Sequence, residues 1–202
     1  MQGIVAYHVI LTAYGFWLPN DPRGSWSKSV RSPDLFRVGG AVTPAGTRRS
    51  VAARPHDRLK RLAGKAALKR EPVRFTGEQA RAIVQGFGRR AKHGGAMIYA
   101  LAIMPDHCHL LLSPPPIEIT RFITQLKGAG TLSLKQAGLL PEAEQPGRTP
   151  PVWARRAWKV FCYSSQDVAR CTRYINNNPI KAGLPRQTWR CITPYRERHN
   201  PS

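Results

Sequence analysis

The sequence predicts an α+β domain: an antiparallel sheet of ferredoxin-like layout with helices packed on it. Three observations lead there. Met97–Met104 (MIYALAIM) and His107–Leu112 (HCHLLL) are apolar runs separated only by Pro105-Asp106, so they read as a hairpin. The other strand candidates are few, and helix-periodic segments fall between them. The order is strand, long helical stretch, hairpin, helix, strand, helix, which fits one sheet rather than a helical bundle.

Each element has a local reason. Ile4–Thr12 is rich in Val, Ile and Tyr and alternates loosely, as a strand does. Tyr14–Arg31 is dense in Gly, Pro, Asn and Asp and predicts an ordered loop carrying Trp17 and Trp26. Residues 32–55 read as an irregular basic insertion, followed by Leu59, Leu62 and Ala66 at helical spacing. A second helix starts at Thr76, where Thr76 and Gln79 have capping-box spacing and Ala80, Ile83, Val84 and Phe87 form an apolar face. His93-Gly-Gly breaks it. After the hairpin, Pro114–Pro116 stop the sheet, and Ile119, Phe122, Ile123 and Leu126 open a helix running towards Gly138. Residues 141–151 are a loop, and Trp158–Tyr163 a strand. Ser164 caps a last helix with Val168, Cys171, Thr172 and Ile175 inward, and Pro179 ends it. On this reading residues 1–184 are one domain with a basic helical insertion at about 32–92. Residues 185–202 are a basic, aromatic tail, either reading a nucleic-acid hairpin or disordered.

Charge narrows the function. The 202 residues carry 32 Lys+Arg against 11 Asp+Glu, a net +21. That excludes the neutral surface of an ordinary metabolic enzyme and points to a polyanion, a nucleic acid before an anionic membrane. Arg48–Arg74 holds ten Lys/Arg and two acids. No apolar run approaches the ~20 residues of a membrane-spanning helix. The opening MQGIVAYHVILTAYGF lacks a basic n-region and reads as a strand, not a signal peptide. Cys108, Cys162, Cys171 and Cys191 show no CxxC spacing and read as reduced thiols in the cytoplasm.

Two features carry chemistry. In His107-Cys108-His109 the imidazoles, at i and i+2 of a strand, project from one face while Cys108, Leu110 and Leu112 take the other. Such a pair is a ligand set for a divalent ion, or simply two hydrogen-bonding histidines. In TRYINNNPIKAGL, Tyr174 and Asn178 stand at i and i+4, on a polar stripe with Asp167 and Arg170. Alone, they read as an amphipathic helix tyrosine and a helix-terminal Asn before proline. His8 takes a core or surface position on the first strand, with a place behind the hairpin histidines as the alternative. Asp106 serves the turn, with orientation of His107 as a secondary role. His56, His93 and His199 read as solvated.

Taken together and in order, YHVILTAYGFWLP, MPDHCHLLL and YINNNPIKAGL make the chain resemble the HUH single-tyrosine transposases, in particular the REP-associated tyrosine transposases. Cys108 takes the middle place of the His-hydrophobic-His motif. The resemblance covers about Ile4–Tyr14 and Ala96–Leu184. It implies the IS200-like transposase fold, with His107 and His109 as metal ligands, Asn178 as a third polar ligand and Tyr174 as nucleophile. It also implies Mg²⁺ or Mn²⁺, single-stranded DNA cleavage and rejoining through a 5′-phosphotyrosyl link, and hairpin-forming repeat targets. Candidate DNA contacts are Trp153, Arg155, Arg156 and Trp158, then Arg170, Arg173 and Lys181 on the last helix, then Arg58, Lys60 and Arg61 in the basic run. Expected partners are single-stranded or hairpin DNA and no membrane, with the chain a monomer or homodimer, cytoplasmic and nucleoid-associated. The alternatives are a non-catalytic basic hairpin-binding protein, a replication or mobilisation nickase, for which a second tyrosine at 175–179 is missing, and a zinc-binding structural protein.

Overall fold

The computed structural model describes residues 3–16, 18, 37–38, 57–141 and 148–197. Its elements are β1 (Ala6–Ala13), α1 (Arg58–Ala66), α2 (Gly77–His93), β2 (Ile98–Ile103), β3 (His107–Leu112), α3 (Ile119–Gln136), β4 (Trp153–Cys162) and α4 (Ser165–Lys181). The strands form one antiparallel sheet in the order β2-β3-β1-β4. With α1 and α4 set aside, the chain runs β-α-β-β-α-β, the ferredoxin-like arrangement the sequence predicts.

Strand alternation splits the protein into two layers. Tyr7, Val9 and Leu11 of β1, with Cys108, Leu110 and Leu112 of β3, face α2 and α3. Ile83, Phe87, Phe122 and Leu126 fill that larger core and are almost wholly buried. Gly86 sets the helix approach, since a Cβ there would lie 2.4 Å from the Ala129 carbonyl oxygen. On the opposite face, Val168, Cys171 and Ile175 of α4 close a smaller cluster over Ala6, Tyr99, Ala100, Ala102, Leu111 and Cys162. α4 packs mainly on β2 and much less on β3 and β4.

Several local readings hold. Thr76 Oγ1 accepts from the Gln79 N–H at 3.2 Å, and Gln79 Oε1 accepts from the Thr76 N–H at 2.9 Å, the reciprocal capping box. α2 ends at His93, and Gly95 takes φ +65° in the turn to β2. Ser164 caps α4 through the Asp167 N–H.

Others need correction. Pro179 lies inside α4 instead of ending it. Proline removes only its own N–H donor, and its carbonyl still accepts from Ala182 at 3.0 Å and Leu184 at 2.8 Å, while Gly183 at φ +71° closes the helix. β4 begins at Trp153, five residues before Trp158, because pairing with β1 extends to Ala13↔Trp153. Thr172 is half-buried. Leu59, Leu62 and Ala66, at helical spacing, face outward: Leu59 is 78% exposed, and Gly64 is the buried residue of α1. α2, which the sequence reading places within the insertion, supplies six buried residues to the main core. The tail is ordered as far as it is described, along the β2 edge. Gln187 spans the Ile103 backbone with bonds of 2.8 and 2.7 Å, the Thr193 N–H donates to the Ile98 carbonyl, and Tyr195 packs edge-on to Tyr99. The loop bearing Trp17 and Trp26, nearly all of 32–55, His56, most of 141–151 and His199 lie outside the described residues. All four cysteines are free, three of them buried. No described helix is long and apolar enough to cross a membrane.

Candidate active site

The site forms on the α4 face of the sheet, where β3 begins. β1 and β3 pair with Ile10 opposite His109 and Thr12 opposite His107, and β4 lays Trp158 opposite Ile10. Antiparallel partners point to the same side, so His109, Ile10 and Trp158 form one row, with His8 and Val160 in the next. α4 adds Tyr174 from above. Its ring stands 5.4 Å from that of His109 and 5.8 Å from that of His8, edge-on to both. Tyr174 is 49% exposed, whereas His109 and His8 are 3% and 6% exposed. The phenol thus forms the accessible lip of a buried imidazole cluster, within a single chain.

The imidazoles are tied end to end. His107 Nε2 and His109 Nε2 face each other at 2.9 Å. His107 Nδ1 meets Asp106 Oδ1 at 2.5 Å, and His109 Nδ1 meets His8 Nε2 at 3.0 Å. Burial, and next the neighbouring His107 and His8, hold His109 well below the usual imidazole range. At neutral pH it therefore keeps a free nitrogen lone pair. Cys171, one turn before Tyr174, has its Sγ 3.7 Å from Cys162 Sγ. The Cys162 hydrogen bond and then His8 pull the Cys171 thiol down, while Cys162 is pushed up.

The donors fit a divalent cation. Two Nε2 atoms converge on one point, and the opposite nitrogen of each ring is held by a further side chain, as in ligating histidines. Asn178, one turn beyond Tyr174, has a buried Nδ2 without a hydrogen-bond partner, so its amide is polar and uncommitted there. Among the described residues no three His, Cys, Asp or Glu side chains gather as a metal site.

The remaining predicted residues spread around this centre. Trp158 is half-buried on the same face, and Arg155 and Arg156, in the irregular first part of β4, are both exposed. Trp153 is half-buried: its Nε1 donates to the Lys127 carbonyl and to Thr131 Oγ1, both at 3.1 Å, and its ring packs on Phe75 and Phe87. Arg170 is exposed but paired with Asp167, while Arg173 and Lys181 are exposed on α4. Arg58 and Lys60 are exposed on α1, Lys60 near Asp57, and Arg61 is half-buried. Pro72–Phe75 joins α1 to this end of the sheet, through Val73 N–H to the Tyr14 carbonyl and Phe75 N–H to the Pro105 carbonyl.

Two residues carry more than sequence reading gave them. His8 reads from sequence as core or surface, with a place behind the hairpin histidines as the alternative; its link to His109 spans 101 residues and is set by the β1–β3 register. Lys127 was not singled out. Its ammonium donates to the carbonyls of Ala154, Arg155 and Arg156 at 2.7, 3.2 and 3.1 Å and fixes the start of β4, while burial lowers it to about 8.

Fold and site together define a ferredoxin-like protein with a phenol poised over paired imidazoles. Residues 66–178, more than half of the chain, match the family model described as "Transposase IS200 like", and the chain belongs to that family of DNA-processing enzymes. A Haemophilus influenzae protein described as a REP-associated tyrosine transposase is 33% identical over 87 residues, 42% of this chain. The match spans about half, 49%, of that relative's length. Among solved structures, a REP-associated tyrosine transposase bound to a REP hairpin aligns over 92% of this chain and 72% of that one, at 12% identity and TM-score 0.47. One described as a transposase from Deinococcus radiodurans aligns over 87% and 91%, at 18% identity and TM-score 0.43.

Proposed function

We propose that this chain cuts and rejoins single-stranded DNA at hairpin-forming repeats, with Tyr174 as nucleophile. The observation that carries the reading is the contact of the exposed Tyr174 ring with the buried His109 and His8 rings in one chain. A phenol in water ionises near pH ~10 and is a weak nucleophile at neutral pH, so it needs a site that favours its attack. His107, His109 and Asn178 would hold Mg²⁺ or Mn²⁺, which when bound supplies charge neutralisation on the scissile phosphate. α4 holds the Tyr174 oxygen at the open side of the cluster. The oxygen attacks phosphorus and releases its phenolic proton, the bond to the 3′ oxygen breaks, and that oxygen takes up a proton and leaves as a free 3′-hydroxyl. The product is a 5′-phosphotyrosyl enzyme. One phosphodiester replaces another, so a different 3′-hydroxyl can reverse the step without an external energy source.

The surroundings support the substrate class. Trp158 and Val160 share the site's face of β4, half-buried and exposed respectively, and Arg156, earlier in the same strand, is exposed. Aromatic and cationic side chains together suit unstacked bases and their phosphates. The net +21 favours encounter with DNA of any sequence.

The test is a labelled, hairpin-flanked single-stranded DNA incubated with the protein and Mn²⁺, then run on a denaturing gel. A covalent adduct that disappears in Tyr174→Phe is expected. An adduct undiminished by Tyr174→Phe refutes the role of Tyr174. Salt-sensitive hairpin binding with no adduct from the wild type identifies a non-catalytic binder instead.

A further inference from the structure

Asp106 meets His107 at Nδ1, and a carboxylate only accepts, so His107 carries a proton there and, when neutral, turns the Nε2 lone pair towards His109. Two lone pairs cannot face each other at the 2.9 Å that separates these Nε2 atoms. The space between them takes either a proton on one nitrogen or a cation shared by both. When a cation is shared, the only ring proton of His109 must sit on Nδ1. That atom lies 3.0 Å from His8 Nε2, inside the protein. Without an acceptor there, a buried N–H would be stranded, and the cation-binding tautomer of His109 would be disfavoured.

We propose that His8 is a positioning residue: its Nε2 accepts from His109 Nδ1–H and so holds His109 with its Nε2 lone pair towards His107. The inference rests on the cation site proposed above and assigns His8 a part in it. His8 is itself 6% exposed, so this bond is shielded from water. The edge-on contact of His8 with Tyr174 seats the phenol on the same ring, so one side chain positions both arms of the site.

The experiment uses the full chain and the metal alone. Mn²⁺ affinity is read from the electron paramagnetic resonance of the free ion for wild type, His8→Phe and His8→Gln. His8→Phe keeps a ring but no acceptor and should bind ~10- to 100-fold more weakly. His8→Gln offers an amide oxygen to His109 Nδ1–H and should recover most of the loss. A bulk packing role predicts no such rescue. In parallel, long-range ¹H–¹⁵N spectra of the Mg²⁺-loaded wild type should show the His109 proton on Nδ1. Wild-type binding of Mn²⁺ with an unaffected His8→Phe, or a His109 proton on Nε2 with Mg²⁺ bound, overturns the inference and leaves the proposed reaction standing. A wild-type chain that takes up neither ion overturns the cation site and the role of His8 with it.

Discussion

α4 carries Tyr174, the proposed nucleophile, but is held by few side chains, and Ile175→Ala tests what that means. Ile175 follows Tyr174 directly and is 0% exposed. It belongs to the smaller cluster, to which α4 contributes Val168, Cys171 and Ile175. Truncating a fully buried isoleucine costs 2–5 kcal/mol, and about 3 kcal/mol suits a site with limited room to collapse. Because α4 lies outside the β-α-β-β-α-β core, that loss should act first on its local opening. At ~1.36 kcal/mol per factor of ten, the open population rises about a hundredfold. Ile83→Ala is the control: also 0% exposed and losing the same atoms, but under α2 in the larger core. Both variants should lower the melting temperature by about 6–12 °C. Hydrogen exchange over 165–181 should accelerate about a hundredfold in Ile175→Ala alone, with adduct formation at 25 °C slowed only there. If exchange over 77–93 rises together with that over 165–181 in Ile175→Ala, α4 does not open independently and the reasoning fails.

Two further outcomes follow from charge. Burial lowers His109 in the folded state, so between its folded pKa and the ~6.5 of an unfolded histidine the unfolded chain binds more protons. Stability present above pH ~6.5 is then lost as pH falls through the folded value, and urea midpoints at pH 7.5, 6.0 and 5.0 should decline less in His109→Gln; identical declines contradict this. Arg156→Ala should reduce the salt dependence of hairpin binding by about one unit of log–log slope, the signature of one lost phosphate contact. An unchanged slope places Arg156 outside the DNA track.

The sequence revealed what short-range chemistry dictates. Thr76 and Gln79 close their cap within one turn, and the histidines of HCHLLL share a face because a strand alternates whatever surrounds it. Tyr174 and Asn178 share a stripe for the equivalent helical reason. What stayed hidden depends on register. His8 reaches His109 because β1 pairs with β3 at Ile10↔His109, and no spacing within one segment encodes that. Trp153 looked like a platform beside two arginines, but β4 pairing and the α2–α3 contact turn its ring inward. Pro179 signals a helix end in isolation, yet tertiary burial and the Gly183 turn carry α4 past it.

The most direct test is chemical. After reaction with hairpin-flanked DNA, nuclease trimming and trypsin, the peptide running from Tyr174 to Lys181 should carry a nucleotide joined through its 5′ phosphate to the Tyr174 oxygen. A nucleotide on any other residue, or one joined through a 3′ phosphate, contradicts the account.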